Sequence, residues 1–173
     1  MFLKPSEVVK HLALRSGLKV GDFGAGGGEY APLVLAELQN EGALYAFDVV
    51  PEMVERLHRK KVSAQADNFF TIHADLNTAL PLKGELLDRA LVINTLYALR
   101  ERARFLSELN RVLARGGQTL FVDWTSSFKN MGPREEEVVS PGEAVRLFQS
   151  HGFSVGTMLP AGSHHYAFVA RKQ

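Results

Sequence analysis

Asp22, Asp48 and Asp75 each lie at the end of a short apolar run, and the first opens onto Gly24-Ala25-Gly26-Gly27-Gly28. A loop with four glycines reaches positive φ readily and lets a ligand approach the backbone closely. A helix entered directly after it turns its first free N–H groups toward the same crevice. Carboxylates at strand ends are hydrogen-bond acceptors. Asp48, about twenty-odd residues past the loop, could take both hydroxyls of a ribose. Asp75 could take the amino group of an adenine. Each feature has a plainer reading as well: a tight turn, a helix cap before Pro51, a turn aspartate. Together they describe a nucleoside-type cofactor site. The spacing Gly24-x-Gly26-x-Gly28 departs from the dinucleotide pattern, whose third glycine would fall at Glu29.

Those residues need a scaffold, and the hydrophobic pattern supplies one. Strand-like runs fall at about 18–23, 43–48, 69–73, 86–93 and 118–124. Helical spacing falls between them, at about 29–39, after Pro51, and at about 101–114, the last ending at Gly116-Gly117. A short helix is expected at about 6–15, within an N-terminal stretch of 1–17. Ser140-Pro141-Gly142-Glu143 carries a Ser cap, a first-turn proline and an acid three residues on, so a helix starts there. Two further strand-like runs, about 153–159 and 165–170, look antiparallel. Alternation of strand and helix gives an α/β domain, mostly parallel, with helices on both faces. The polar stretch 125–140 is longer than most connections and reads as a loop on the substrate side. No linker divides residues 1–173, so one domain is expected.

Composition narrows the class. The 173 residues hold 20 Lys+Arg and 19 Asp+Glu, a formal charge of +1. That balance makes no field to recruit nucleic acid. The alternating charges around Arg100, Arg102 and Arg104 read as a solvated helix face. With no cysteine there is neither a disulfide framework nor a thiol nucleophile. His164 and His165 are adjacent and face opposite sides of a strand, so no metal site is expected from them. The start lacks a signal-like core, and no apolar run approaches the ~20 residues of a membrane span. A cytoplasmic protein, monomer or homodimer, is expected.

The chain resembles the class I S-adenosylmethionine-dependent methyltransferases. The matching residues are Val20-Gly21-Asp22-Phe23-Gly24-Ala25-Gly26-Gly27-Gly28, Phe47-Asp48-Val49-Val50-Pro51-Glu52-Met53, Ala74-Asp75-Leu76, Leu91-Val92-Ile93-Asn94 and the helix and turn from Glu108 to Gly117. It is similar to the small-molecule branch, of the ubiquinone/menaquinone-biosynthesis type. The resemblance implies a Rossmann-like three-layer sandwich whose seven-stranded sheet has an antiparallel last strand. It implies S-adenosyl-L-methionine as donor and S-adenosyl-L-homocysteine as product. Gly24, Ala25 and Gly26 would line the methionine portion, with Asp22 toward its ammonium. Asp48 would hold the ribose, Val49 and Met53 the adenine face, Asp75 and Leu76 its edge, and Asn94 would sit near the methyl.

Tyr97, Asp123, Trp124 and His164 are the candidates to line the acceptor side, the acceptor being a small molecule. Gly21 stands where a larger apolar residue is usual, which should weaken packing. Two alternatives share the pattern: an NAD(P)-linked oxidoreductase, and a cofactor-binding regulator without activity. The missing third glycine and the lack of a Tyr-x-x-x-Lys pair oppose the first.

Overall fold

The computed structural model describes residues 4–128 and 132–173. Seven strands form one sheet in the order β3-β2-β1-β4-β5-β7-β6. They are β1 (Lys19–Phe23), β2 (Ala43–Asp48), β3 (Phe69–His73), β4 (Leu87–Ile93), β5 (Leu113–Trp124), β6 (Phe153–Val155) and β7 (His165–Lys172). The first five run parallel, and β7 is antiparallel to both of its neighbours. The expected α/β sandwich with an antiparallel last strand is the fold observed.

Side chains alternate across each strand, and the sheet separates two cores. On one face Val20, Leu44, Leu91 and Val122 pack with the helices α1 (Pro5–Val9), α2 (Ala31–Leu38) and α3 (Pro51–Ala64). On the other, Phe23, Phe47, Val92 and Phe121 pack with α4 (Arg102–Val112) and α5 (Pro141–Ser150). Ser140 caps α5 as its sequence demands, its hydroxyl accepting from the Glu143 N–H at 3.3 Å.

Three expectations change. The N-terminal helix is five residues long, followed by a single 3-10 turn over Lys10–Leu12. The run 153–159 is strand only through Val155, and Leu159 rejoins the sheet by an isolated bridge to Ala167. Gly116-Gly117 does not precede β5 but lies within it: Leu87 pairs with Leu113 and Arg89 with Gln118, so the intervening residues bulge. Gly116 takes φ +74 there, a conformation glycine adopts without strain.

Gly21 proves compensated rather than loose. A Cβ built on it would fall 2.7 Å from Leu87 Cδ1 and 2.8 Å from Phe23 Cε2. The Phe23 ring therefore fills the space above Gly21. That ring is fixed by stacking on Phe47 (centroids 4.9 Å apart, 9° between planes) and by an edge contact with Phe105 at 5.7 Å. Gly21→Val is expected to destabilise the fold by about 1–3 kcal/mol through overpacking. Urea unfolding checks this, and an unchanged midpoint would refute it.

Candidate active site

Parallel strands of an open sheet offer their carboxyl ends as a ligand platform, at the point where strand order reverses. Here that point lies between β1 and β4, and Asp22, Asp48 and Asn94 gather around it. Two cavities of about 350 and 330 Å³ flank it and share Gly24 and Asn94 as walls.

The glycine loop is held in place by β2. The N–H groups of Gly24 and Ala25 both donate to the Phe47 carbonyl at 2.9 Å, and the Gly26 N–H donates to Asp48 Oδ2 at 2.8 Å. Three successive amides are thus spent inside the protein and cannot grip a phosphate. Gly24 has φ +76, and a Cβ there would collide with the Thr95 hydroxyl, which itself donates to the Phe23 or Ile93 carbonyl. Gly28, at φ +76, packs so closely that a Cβ would fall 2.7 Å from Leu57 Cδ2. Gly26 faces open space.

The first cavity is lined by Asp22, the loop from Gly24 to Gly27, Tyr30, Asn94, Trp124 and His165, with Pro5 at its edge. Asp22 is one residue short of the end of β1 and only 2% exposed. Burial, with the Asp48 charge adding to it, pushes its carboxyl up to about 7. Asn94 holds φ +53 directly after β4, a strained position of the kind that clusters at functional sites. Among the described residues, five buried side-chain atoms lack a hydrogen-bond partner. Four of them belong to this cavity: Asp22 Oδ2, Asn94 Oδ1 and both ring nitrogens of His165. Native proteins pair nearly all such atoms. A cavity that concentrates the exceptions is built for a polar guest. An ammonium group fits Asp22, and a hydrogen-bond donor fits Asn94.

The second cavity is lined by Asp48, Val49, Asp75, Leu76 and Tyr97 among others. Asp48 accepts from Gly26 on one oxygen and from the Val50 N–H on the other at 2.9 Å, which leaves further lone pairs on both. Asp75 accepts from the Asn77 N–H and side-chain amide, which hold its carboxyl below the usual range. Asn77, which the sequence did not single out, also accepts from the N–H groups of Arg100 and Glu101 and so ties this wall to the start of α4. Met53 lies on α3 and lines neither cavity.

The four acceptor-side candidates separate. Trp124 lines the first cavity, and Tyr97 the second. Asp123 points to the α4–α5 face, where it accepts from the N–H groups of Trp124 at 2.9 Å and Tyr97 at 3.2 Å. Its carboxyl is pushed up to about 6 by burial, against the pull of those N–H groups and Arg102. His164 lines neither cavity and its ring lies 4.0 Å from that of Phe128. The neighbour, His165, is the one that faces the cavity, with the Trp124 ring 4.2 Å away. Strand parity could have found it: His165 pairs with Trp124 across β5 and β7 and so shares its face.

Gly132 packs on this wall, where a Cβ would meet the Trp124 ring at 2.7 Å. Arg102, read from sequence as a solvated charge, instead donates to the carbonyls of Leu96, Tyr97 and Glu137 and pairs with Glu143. Lys129, Asn130 and Met131, within the expected substrate-side loop, lie outside the described residues. Among the described residues no three ligating side chains converge as a metal site, and no helix is long and apolar enough to cross a membrane.

Known proteins share this architecture. Residues 21–121 match the family described as a methyltransferase domain. A SAM-dependent methyltransferase from Aquifex aeolicus superposes with TM-score 0.90 at 28% identity, over 99% of this chain and 91% of that one. The YcgJ protein from Bacillus subtilis aligns at 15% identity and TM-score 0.81, over 98% and 97% of the two chains. The [4+2]-cyclase SpnF shares the fold at 16% identity and TM-score 0.84, over 97% of this chain and 79% of that one. A comparison with proteins of curated function finds no match. The match spans more than half of the chain and includes the glycine loop, Asp48, Asp75 and Asn94: this chain belongs to the methyltransferase domain family, and its methyl donor is S-adenosylmethionine.

Proposed function

We propose that the chain transfers the methyl group to a small molecule bound in the first cavity, beside Trp124 and His165. The observation that carries this reading is the convergence of Asp22 Oδ2, Asn94 Oδ1 and the His165 ring nitrogens, all buried and unpartnered, in one cavity of about 350 Å³. That volume is in the range of small-molecule sites. The near-zero net charge favours the same class over nucleic acid.

In this reading Asp22 meets the donor's ammonium group, and Gly24, Ala25 and Gly26 line its methionine portion. Asp48 accepts from the ribose hydroxyls with the lone pairs it does not use on the loop. Val49, Asp75 and Leu76 frame the adenine. Asn94, between the two cavities, stands beside the methionine end. The donor supplies an already activated carbon. The protein's share is therefore alignment of the acceptor and exclusion of water.

Asp48→Ala is expected to weaken S-adenosylhomocysteine binding by about 100-fold or more, because a hydrogen bond to a charged group contributes about 1.5–3 kcal/mol and two are lost. Calorimetry checks this, and affinity within tenfold of the parent would refute the assignment. Transfer to small compounds and to bulk protein or tRNA, compared by S-adenosylhomocysteine release, tests the acceptor class.

Asp22 gives a second test. Burial, with the Asp48 charge adding to it, pushes its folded carboxyl up to about 7, well above the usual carboxylate range. The folded state therefore holds a proton that the unfolded chain has released. Stability contributed by that proton falls as pH rises through this window. The cofactor-free protein should melt lower at pH 7.5 than at pH 5, and Asp22→Asn should flatten that slope. Cofactor affinity should run the other way, rising with pH as Asp22 ionises to face the ammonium. Parallel slopes for parent and variant would exclude Asp22 as the source.

A further inference from the structure

His165 is 8% exposed, yet neither ring nitrogen has a hydrogen-bond partner among the described residues. Buried histidines ordinarily spend at least one nitrogen on a carbonyl or carboxylate. The ring is nevertheless fixed in place. Its backbone is the first residue of β7, in register with Trp124 at the end of β5, and the indole packs at 4.2 Å with 40° between the planes. Asp22, Trp124 and His165 stand on the α1–α3 side of the sheet. Three inter-strand steps, across β4 and β5, separate Asp22 from His165, roughly 14 Å at the usual spacing. The Asp22 carboxyl at β1, proposed for the donor's ammonium, and the unpartnered imidazole at β7 thus line one cavity from strands three steps apart.

We propose that His165 is the general base of the methyl transfer and that the acceptor is a neutral molecule presenting an O–H group. This rests on the small-molecule reading above. The acceptor oxygen forms its bond to the methyl carbon as the carbon–sulfur bond breaks, and that electron pair stays with sulfur. The O–H proton passes to a His165 ring nitrogen and from there to water. A hydroxyl needs such a base because its proton is not lost at neutral pH. An ammonium-bearing acceptor finds no spare carboxylate at this end of the cavity, since Asp22 is at the other.

The groups around the ring are consistent with a proton acceptor. Burial first, and the neighbouring His164 second, hold the His165 pKa below the ordinary histidine range. The other ionisable side chains of the cavity are Asp22, Tyr30 and Glu29. Burial and the Glu29 and Asp22 charges raise the Tyr30 hydroxyl, so it stays protonated. Glu29 is exposed at the rim and is the competing base.

Phenol, benzyl alcohol, benzylamine and thiophenol, each offered with S-adenosylmethionine, test the proposal through S-adenosylhomocysteine release. Transfer is expected to one or both hydroxyl compounds. His165→Ala and the size-preserving His165→Gln should each lower kcat/KM by about 10²–10⁴-fold. Both should keep S-adenosylhomocysteine affinity within twofold, which also shows that they fold. With S-adenosylmethionine saturating at every pH, which removes the Asp22 dependence of cofactor affinity, the rising limb of the acceptor kcat/KM profile should vanish in these variants and survive in Glu29→Gln. Independently of turnover, phenol added to the S-adenosylhomocysteine-bound protein should move the His165 ring-nitrogen resonances. Hydroxyl transfer unaffected by either His165 variant, loss of the limb in Glu29→Gln, transfer confined to the amine or thiol, or unmoved resonances would each overturn it. So would no transfer to any of the four while the cofactor product still binds. Methyl groups appearing in protein or tRNA instead would overturn the small-molecule reading.

Discussion

The clamp between the glycine loop and the end of β2 is the constraint on which the site depends. Phe47 and Asp48 receive three successive amides, from Gly24, Ala25 and Gly26. Nothing in the loop's own composition would hold it still, because four glycines favour many conformations equally. The clamp selects one. It also orients Asp48, whose second oxygen is taken by Val50 at the start of the next turn. The same carboxylate therefore organises the protein and remains available to a ligand. Beneath the clamp, Phe23 and Phe47 stack in the core, so the strands carrying the site are locked by aromatic packing immediately below it.

The electrostatic character of the site follows from where that clamp leaves its neighbours. Asp22 lies too deep to reach water and is offered no donor for Oδ2. Asn94 is held in a left-handed backbone conformation with its amide oxygen idle. These are unfavourable arrangements in an empty protein. In the proposed reading they become favourable once a cation and a hydrogen-bond donor arrive together, which is how a preorganised pocket separates a zwitterionic ligand from a nucleotide phosphate.

Much of this was legible in the sequence, for identifiable reasons. The loop glycines, Asp48 and Asp75 announce themselves because each sits where an apolar run stops. The α/β order follows from alternating periodicities. The resemblance stated on those motifs agrees with the family match. What stayed hidden depends on strand register and on contacts distant in the chain. His164 lies just before β7 and His165 opens it, and the pairing of His165 with Trp124 decides which of them faces the cavity. Asp123 ends an apolar run just as Asp22 does, yet it faces the other side and spends itself on two backbone N–H groups. Arg102 carries the signature of a solvated helix residue. It becomes a latch only because residues 96, 97 and 137 bring their carbonyls to it. Gly116-Gly117 reads as a turn, and only the pairing of Leu87 with Leu113 turns it into a bulge.

The reversed direction of β7 has a wider consequence. Every parallel strand reaches the ligand platform with its carboxyl end, where the next residues are committed to the loop or helix that follows. β7 arrives with its amino end, so His165 is preceded by the irregular stretch that leaves Leu159 and passes Gly162. The clamp on the glycine loop runs through Phe47 and Asp48 and draws on none of that stretch. In the proposed reading, substitutions in that stretch reshape the acceptor wall while leaving the donor half intact. One scaffold could thus diversify its acceptors from a single strand end without relearning how to hold its methyl donor.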